Sequence, residues 1–148
     1  MPYTQAPHMT EEEIEEFLKT EKIARFCSHN KDNTIHATPV WFNYVNNQII
    51  IGTPDTSRKA RNVRRNKNVT ILVDRVEAPT QGVILYGEVE LTYDNVRSTG
   101  ISIFERYMTK EQAETIMDGL AKIASWLIMK VTIKKVATFD YSKDSVYQ

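Results

Sequence analysis

The stretch from residue 83 to residue 92 constrains the fold most strongly, because two kinds of side chain alternate along it. One set of positions is apolar or glycine: Val83, Leu85, Gly87, Val89 and Leu91. The intervening set is more polar: Ile84, Tyr86, Glu88, Glu90 and Thr92. Successive side chains of a strand point to opposite faces of its sheet. The pattern therefore predicts a long strand with one dry face and one partly wet face.

Five other segments have the apolar and β-branched composition of strands: residues 23–28, 35–45, 49–51, 69–73 and 126–138. Turn residues separate the first three, at 30–33 and at the pair Asn46-Asn47, and asparagine is a frequent turn residue. The third strand stops at Gly52, Thr53 and Pro54. The sequence therefore predicts six antiparallel strands joined largely by hairpins.

Helical patterns lie between these strands. Thr10 and Glu13 fit a capping box for a helix ending near Thr20, and Ser57 caps a basic helix that runs to about Lys67. Residues 96–107 and 110–124 are predicted to form a pair of helices. The second helix has apolar residues at helical spacing, which we expect to be buried: Ala113, Ile116, Met117 and Leu120. One inserted helix and one helical pair favour a closed β-barrel over a sandwich or a parallel sheet. The predicted fold class is mainly β with helices.

The 148 residues, 41% of them hydrophobic, suit one domain with one core. We expect an extended N-terminal arm over residues 1–9, which include Pro2 and Pro7, a barrel domain over 10–140 and a C-terminal tail over 141–148. Lysine plus arginine number 19 and aspartate plus glutamate number 19. No overall charge therefore attracts the chain to nucleic acid or acidic lipid.

Cysteine content and hydropathy further narrow the class of protein and its compartment. Cys27 is the only cysteine, which excludes an internal disulfide and a cysteine-based zinc site and fits a reducing compartment. No apolar run approaches the roughly 18 residues that span a bilayer, and residues 1–10 lack the apolar stretch of a signal peptide. We therefore expect a cytoplasmic protein without a membrane partner.

The stretch 52–62 predicts an anion-binding corner. A strand ends, the chain turns, and a helix begins with hydroxyls and cations in its first turn: Thr53, Thr56, Ser57, Arg58 and Lys59. Unpaired backbone N–H groups and a partial positive charge make a helix start a phosphate site. A capped, solvated surface helix is the alternative that this stretch alone leaves open.

Six of the ten residues 58–67 are basic, a density that also fits nucleic-acid binding. Such a site normally has a wider basic face or interleaved aromatic residues for stacking. Because the rest of the chain balances this charge, we expect no nucleic-acid partner.

A proline interrupts the second strand at Thr38-Pro39-Val40-Trp41-Phe42. Proline donates no ladder hydrogen bond, so this strand is either an edge or bulged at Pro39. Backbone amides freed beside Trp41 would suit the edge of a flat heterocycle, although such aromatic residues are individually more typical of a core. No nucleophile motif, dinucleotide loop or metal-spaced histidine pair occurs, so no catalytic residue is assigned. A protein that binds a redox cofactor needs none of these, because the cofactor supplies the reactivity.

At these two stretches the sequence resembles the FMN-binding split β-barrel proteins related to pyridoxamine 5'-phosphate oxidase, which include deazaflavin-dependent reductases. The resemblance covers about residues 11–143. Residues 57–66 resemble a helix of that family whose consecutive residues are lysine, any residue, arginine, asparagine, an apolar residue, arginine and arginine. Residues 38–42, with the turn and strand that follow, are the second match. The resemblance implies a six-stranded antiparallel split barrel, Greek-key-like, with flanking helices.

The resemblance also implies roles for named residues. Ser57, Arg58 and Lys59 would hold the phosphate of FMN, with Thr53 beside it and Asn62 as a further candidate. Four residues would contact the ring system through their backbone: Thr38, Pro39, Val40 and Trp41. The family binds flavin between two subunits, which implies a homodimer with cofactor sites at the interface and Trp126 reaching the partner's cofactor.

Two departures bear on function. Lys67 stands where the family often has proline, and residues 126–130 lack the arginine-rich substrate motif of the true pyridoxamine-phosphate oxidases. We therefore expect an FMN-dependent oxidoreductase for a small organic substrate other than vitamin B6 phosphate. A deazaflavin-dependent reductase and a non-catalytic module that binds flavin or haem are the alternatives.

Overall fold

The computed structural model describes residues 6–148, so Pro2 of the predicted arm lies outside the described residues. Within them the helices are α1 (Glu11–Thr20), α2 (Arg58–Arg65), α3 (Val96–Phe104) and α4 (Lys110–Ala121). The strands are β1 (Ala24–His29), β2 (Ile35–Val40), β3 (Asn43–Val45), β4 (Gln48–Pro54), β5 (Asn68–Arg75), β6 (Gln81–Thr92) and β7 (Trp126–Asp140). Two short 3₁₀ turns, Tyr141–Lys143 and Ser145–Tyr147, follow β7.

The seven strands of this part of the chain form one antiparallel sheet in the order β2-β1-β5-β6-β7-β4-β3. β2 and β3 are its two edges, yet only Trp41 and Phe42 separate them along the chain. Three peptide steps span at most about 11 Å, so the two edges must approach each other at this corner. The sheet is therefore curled into a split barrel, and the closed barrel that the element pattern favoured is wrong, because within residues 6–148 β2 and β3 are not hydrogen-bonded to each other.

The structure corrects the predicted number of strands from six to seven. The segment 35–45, predicted as one strand, breaks into β2 and β3 at Trp41 and Phe42. The reason is tertiary: the chain leaves one edge of the sheet here and joins the other, so these two residues cannot continue the ladder with β1. The mainly β fold with flanking helices is confirmed, with α2 between β4 and β5 and the α3–α4 pair between β6 and β7.

Local predictions at three positions can be compared directly. Pro39 lies on an edge strand and pairs with Arg25 in continuous register, so the edge explanation is confirmed and a bulge at Pro39 is wrong. Asn46 and Asn47 have φ values of 50° and 59°, which suit a two-residue hairpin turn. The capping box of α1 is confirmed, because Thr10 Oγ1 accepts the Glu13 N–H at 3.2 Å while Glu13 Oε1 accepts the Thr10 N–H at 2.9 Å.

A β-bulge bends the long pair of β6 and β7. Tyr86 pairs with Lys135 and Gly87 pairs with Ile133, which leaves one extra residue in β7. A Cβ atom at Gly87 would lie 2.5 Å from the backbone oxygen of Thr132. The close approach of the two backbones therefore requires glycine at this position.

The core lies inside the curled sheet, and α1 closes one end of it. Phe26, Ile71 and Leu85 face inward from three neighbouring strands and are at most 1% exposed. α1 adds Phe17 and Leu18 to the same core. On α4, Ala113 and Met117 are buried as predicted, but Ile116 is 38% exposed. α4 packs on α3 through a narrower face than predicted.

Backbone hydrogen bonds fix the described part of the N-terminal arm to the end of β7. The Asp140 N–H donates to the Pro7 carbonyl at 2.8 Å, and the Met9 N–H donates to Thr138 Oγ1 at 3.0 Å. Across residues 6–148, the helices fall short of the length and apolar character that crossing a bilayer requires.

Candidate functional site

The predicted strand-to-helix corner is present where β4 ends and α2 begins. Ser57 is the N-cap of α2, and its Oγ accepts the Ala60 N–H at 3.1 Å. Thr53 is 1% exposed as a residue, and its hydroxyl lies 2.8 Å from the same oxygen and donates to it. Among residues 6–148, the amides of Arg58 and Lys59 donate no hydrogen bond. These two amides form the free first turn that an anion would complete.

Positive charge concentrates on the side of the corner that faces β2. Lys59 is half-buried, and this burial lowers the pKa of its ammonium group. Burial, together with the charges of Lys59 and Arg58, also lowers the pKa of His36 on β2. Both cations therefore lie within electrostatic range of the inner face of β2, whereas the Arg58 side chain itself is exposed.

Thr38 places an unpaired hydroxyl on this same inner face. Its Oγ1 is buried and has no hydrogen-bond partner within the described part of the chain. Alternation along β2 puts Thr38 between His36 and Val40 on one face. A buried hydroxyl without a partner costs roughly 1–3 kcal/mol, so such groups are rare unless water or a ligand completes them. The Thr38 hydroxyl is therefore an unsatisfied hydrogen-bonding group on the strand beside the corner.

A cavity of about 290 Å³ opens beside the corner. Six of the ten predicted site residues line it: Pro39, Val40, Trp41, Thr53, Lys59 and Trp126. Trp126 reaches it because β7 pairs with β4, which places Trp126 opposite Pro54. The structure thus brings the two predicted stretches together at one cavity. The predicted contact of Trp126 with a partner's cofactor stays a prediction.

The other four predicted residues lie around this cavity without lining it. Ser57 and Arg58 are at the helix start beside Lys59, and Thr38 precedes the lining residues of β2. Asn62 is 3% exposed, and its Nδ2 donates to Ser28 Oγ at 3.1 Å and to Asn30 Oδ1 at 2.9 Å. This amide therefore ties α2 to β1 and its turn. A contact between Asn62 and a cofactor stays a prediction.

Helices α3 and α4 cover one side of the cavity, and their residues were not predicted as part of the site. These residues of α3 and α4 line the cavity: Val96, Gly100, Ile103, Phe104, Met117 and Leu120. Their helical spacing indicates an apolar face, and this spacing is the signal that could have found them. It does not distinguish a face that packs on the core from one that covers a cavity.

Two residues after α3 fix the corner between β2 and β3, and the sequence analysis missed both. Tyr107 Oη accepts the Phe42 N–H at 3.1 Å and donates to the Lys22 carbonyl at 2.6 Å. The Arg106 guanidinium donates to the carbonyl of Phe42 and, at 2.8 Å, to that of Glu21. Burial raises the pKa of the Tyr107 phenol, which therefore stays protonated as a donor at neutral pH.

The curled sheet, with one helix inserted beside the corner and a helical pair over the cavity, defines a split-barrel protein. The family model described as pyridoxamine 5'-phosphate oxidase matches residues 10–139. The chain belongs to this family of FMN-binding split-barrel proteins, as the resemblance of its sequence had indicated.

Solved structures show the same fold at low sequence identity. The conserved hypothetical protein Rv2991 from Mycobacterium tuberculosis superposes with a TM-score of 0.80 at 22% identity, over 93% of this chain and 91% of that one. An F420 reductase gives 0.68 at 19% identity, over 83% and 94%. The haem storage protein HutZ from Vibrio cholerae gives 0.68 at 16% identity, over 87% and 92%. No curated protein matches the chain by sequence.

Proposed function

We propose that this protein binds FMN at the corner of β4 and α2 and acts as an oxidoreductase on a small organic substrate. The observation that supports this most is the free first turn of α2, where the amides of Arg58 and Lys59 donate no hydrogen bond within residues 6–148 and the half-buried Lys59 side chain lines the cavity. Phosphate oxygens are acceptors that these amides and the ammonium group would satisfy, and the unpaired Thr38 hydroxyl lies on the neighbouring strand β2. The family to which the chain belongs supplies the identity of the cofactor.

The phosphate end of FMN would meet three kinds of donor at the corner: backbone amides, a hydroxyl and an ammonium group. The amides of Arg58 and Lys59 point from the free first turn of α2. Ser57 already accepts from Ala60 and Thr53, so its own proton is available to a phosphate oxygen. The Lys59 ammonium adds a full charge, and because it is half-buried this charge is less screened than that of a surface lysine.

The ring end would lie along β2 at the rim of the cavity, outside the interior beneath α3 and α4. Pro39, Val40 and Trp41 present their backbone and side chains there, and Trp126 faces them from β7. The bound flavin supplies the redox chemistry, which no side chain of the protein needs to provide. These residues of β2 and Trp126 would orient the ring. No catalytic side chain is proposed.

Two other cofactors remain as alternatives. An F420 reductase and a haem storage protein share the fold, and a phosphorylated deazaflavin would use the same corner. Haem is less well matched, because among residues 6–148 the cavity lining has no histidine, cysteine or tyrosine, and its one possible axial ligand, Met117, is of a type that holds haem iron together with a histidine. Titration of the purified protein with FMN, F420 and haemin separates the three. FMN as the tightest ligand supports the proposal, and tighter F420 or haemin binding overturns it.

We propose that the protein acts as a homodimer with the cofactor at the subunit interface. The outer face of the sheet around β1, β2, β5 and β6 presents apolar side chains to solvent, including Ile35 at 54% and Tyr86 at 38% exposure. Half-buried Cys27, Leu72 and Ile84 lie on the same face. Burial of this face by a second copy would remove it from water. Light scattering should give twice the monomer mass.

The single half-buried cysteine also fits the reducing cytoplasm, which we propose as the compartment.

A further inference from the structure

The cavity has two chemically different parts. Its rim at the corner holds Lys59 and Thr53. Its interior, beneath α3 and α4, is lined by apolar side chains including Ile103, Phe104 and Met117. Of the described residues that line the cavity, none has a carboxylate, imidazole or thiol, and Lys59 is the one charged side chain. A phosphate bound at the corner would neutralise that charge.

We propose that the interior beneath α3 and α4 is a binding site for an uncharged, flat organic molecule, and that such molecules are the substrate class of the flavin enzyme proposed above. The inference about the substrate rests on that proposed function. A charged substrate would lose its hydration in this interior without gaining a partner, which is costly. A neutral ring loses little hydration and gains the burial of its apolar surface.

The shape and surface of the interior favour an aromatic occupant. A cavity of about 150 Å³ admits benzene, and the rim and the interior together enclose about 290 Å³, so the interior has room for a small aromatic ring system. Trp41, Trp126 and Met117 line the cavity, and indole rings and thioethers make favourable contacts with aromatic rings.

Gly100 sets the depth of this interior. It lines the cavity on α3, and a Cβ atom there would lie 2.5 Å from Cε and 2.6 Å from Sδ of Met117. The absence of a side chain at Gly100 therefore lets Met117 lie against α3 and keeps the space open. Because the thioether end of Met117 is flexible, a larger residue at position 100 would displace it toward the space that the ligand needs.

Two probes of matched shape test the charge preference. Isothermal titration calorimetry of FMN-loaded protein with 2-naphthol and with naphthalene-2-sulfonate should show at least about 10-fold tighter binding of neutral 2-naphthol. Equal affinities, tighter binding of the sulfonate or no binding of 2-naphthol would overturn the inference. Loss of 2-naphthol binding when FMN is added to flavin-free protein would also overturn it, because the flavin would then fill the interior.

A pair of glycine variants tests the location. Gly100→Leu should weaken 2-naphthol binding by about 10-fold or more while leaving FMN affinity within about twofold. Gly119→Leu is the matched control, because Gly119 is on α4 and a Cβ atom there would have no neighbouring atom within 4 Å. Unchanged 2-naphthol binding in Gly100→Leu, or an equal loss in Gly119→Leu, contradicts the site.

The same measurements separate the inference from the proposed function. Should the protein fail to bind FMN, the proposed function is wrong, whereas 2-naphthol binding by the flavin-free chain and its loss in Gly100→Leu still decide the site. Both tryptophans of the sequence, Trp41 and Trp126, line the cavity. Intrinsic tryptophan fluorescence of the flavin-free protein should therefore change when 2-naphthol binds, and an unchanged signal at saturation would contradict the location.

Discussion

The phenol ring of Tyr107 lies parallel to the indole of Trp41, with 4.2 Å between ring centroids and 10° between planes. Phe104 contacts the same indole edge-on at 5.4 Å. Trp41 is thereby fixed at the wall of the cavity although 39% of its surface is exposed. The end of α3 thus determines where an aromatic residue of the distant β2–β3 corner lies.

Tyr107→Phe separates the stacking of this ring from its hydrogen bonds. The variant keeps the ring over Trp41 but loses the bonds to the Phe42 N–H and the Lys22 carbonyl. We expect the free energy of unfolding to fall by roughly 1–3 kcal/mol, because one buried donor loses its partner. Urea denaturation measures this change. Tyr147→Phe, at an exposed tyrosine, should leave stability unchanged, and equal stability of both variants would show that the corner does not depend on Tyr107.

Gly87→Ala should be among the most damaging single substitutions in the sheet. The new methyl group would meet the backbone oxygen of Thr132 at 2.5 Å, and a backbone atom cannot move aside as a flexible side chain does. We expect a loss of roughly 2–4 kcal/mol in the free energy of unfolding. Gly119→Ala, in an exposed helix, should instead stabilise by up to about 1 kcal/mol. Thermal unfolding compares the two, and a neutral Gly87→Ala would contradict the bulge.

The ion pair of Glu13 and Lys143 should contribute to stability in a defined pH range. The hydrogen bond from Lys143 Nζ at 2.6 Å, together with that of the Thr10 amide, lowers the pKa of Glu13 from 4.5 to about 2. A carboxyl whose pKa is lower in the folded state stabilises the fold above its unfolded pKa and loses that contribution as pH falls. The contribution should therefore be complete above pH 4.5 and vanish toward pH 2.

Lys143→Met tests this range. Its melting temperature should lie below that of the unsubstituted protein at pH 6, and the difference should disappear near pH 2. Because both side chains are partly exposed, at 35% and 42%, the difference should also shrink in high salt. A difference that is independent of pH would assign the effect of Lys143 to packing.

Thr38→Val should affect the flavin-free and the FMN-bound protein in opposite directions. Removal of a buried hydroxyl without a partner should leave the flavin-free protein as stable or more stable, by up to about 1 kcal/mol. Loss of a donor to the ligand should weaken FMN binding by about 3- to 10-fold. Thr38→Ser keeps the hydroxyl and should retain the affinity. Unchanged FMN affinity in Thr38→Val would remove this hydroxyl from the site.

Local sequence signals predicted most of the elements and the corner. The alternation over 83–92, the Asn46-Asn47 turn and the caps at Thr10 and Ser57 all act over a few residues, and all are found where predicted. The break at Trp41 and Phe42 was missed because it arises from closure of the sheet, which involves strands far apart in the chain.

The features of the site that the sequence did not predict also depend on contacts between residues far apart in the chain. The position of Asn62 in the α2 helix gives no sign that its amide bonds Ser28 and Asn30, more than 30 residues away. Apolar spacing on α4 predicted a buried stripe that includes Met117, but not that Met117 and Gly100 would cover a cavity. The unpaired state of the Thr38 hydroxyl follows only from the packing around it.

The central claim is that the corner binds the phosphate of FMN, and the affinities of FMN and riboflavin for the protein and for Lys59→Ala test it most directly. Riboflavin has the same ring system without the phosphate. We predict that Lys59→Ala weakens FMN binding by about 10- to 100-fold, because a charge-assisted hydrogen bond is lost, and leaves riboflavin binding unchanged. Equal FMN affinity in both proteins, or an equal loss for both ligands, would contradict the account.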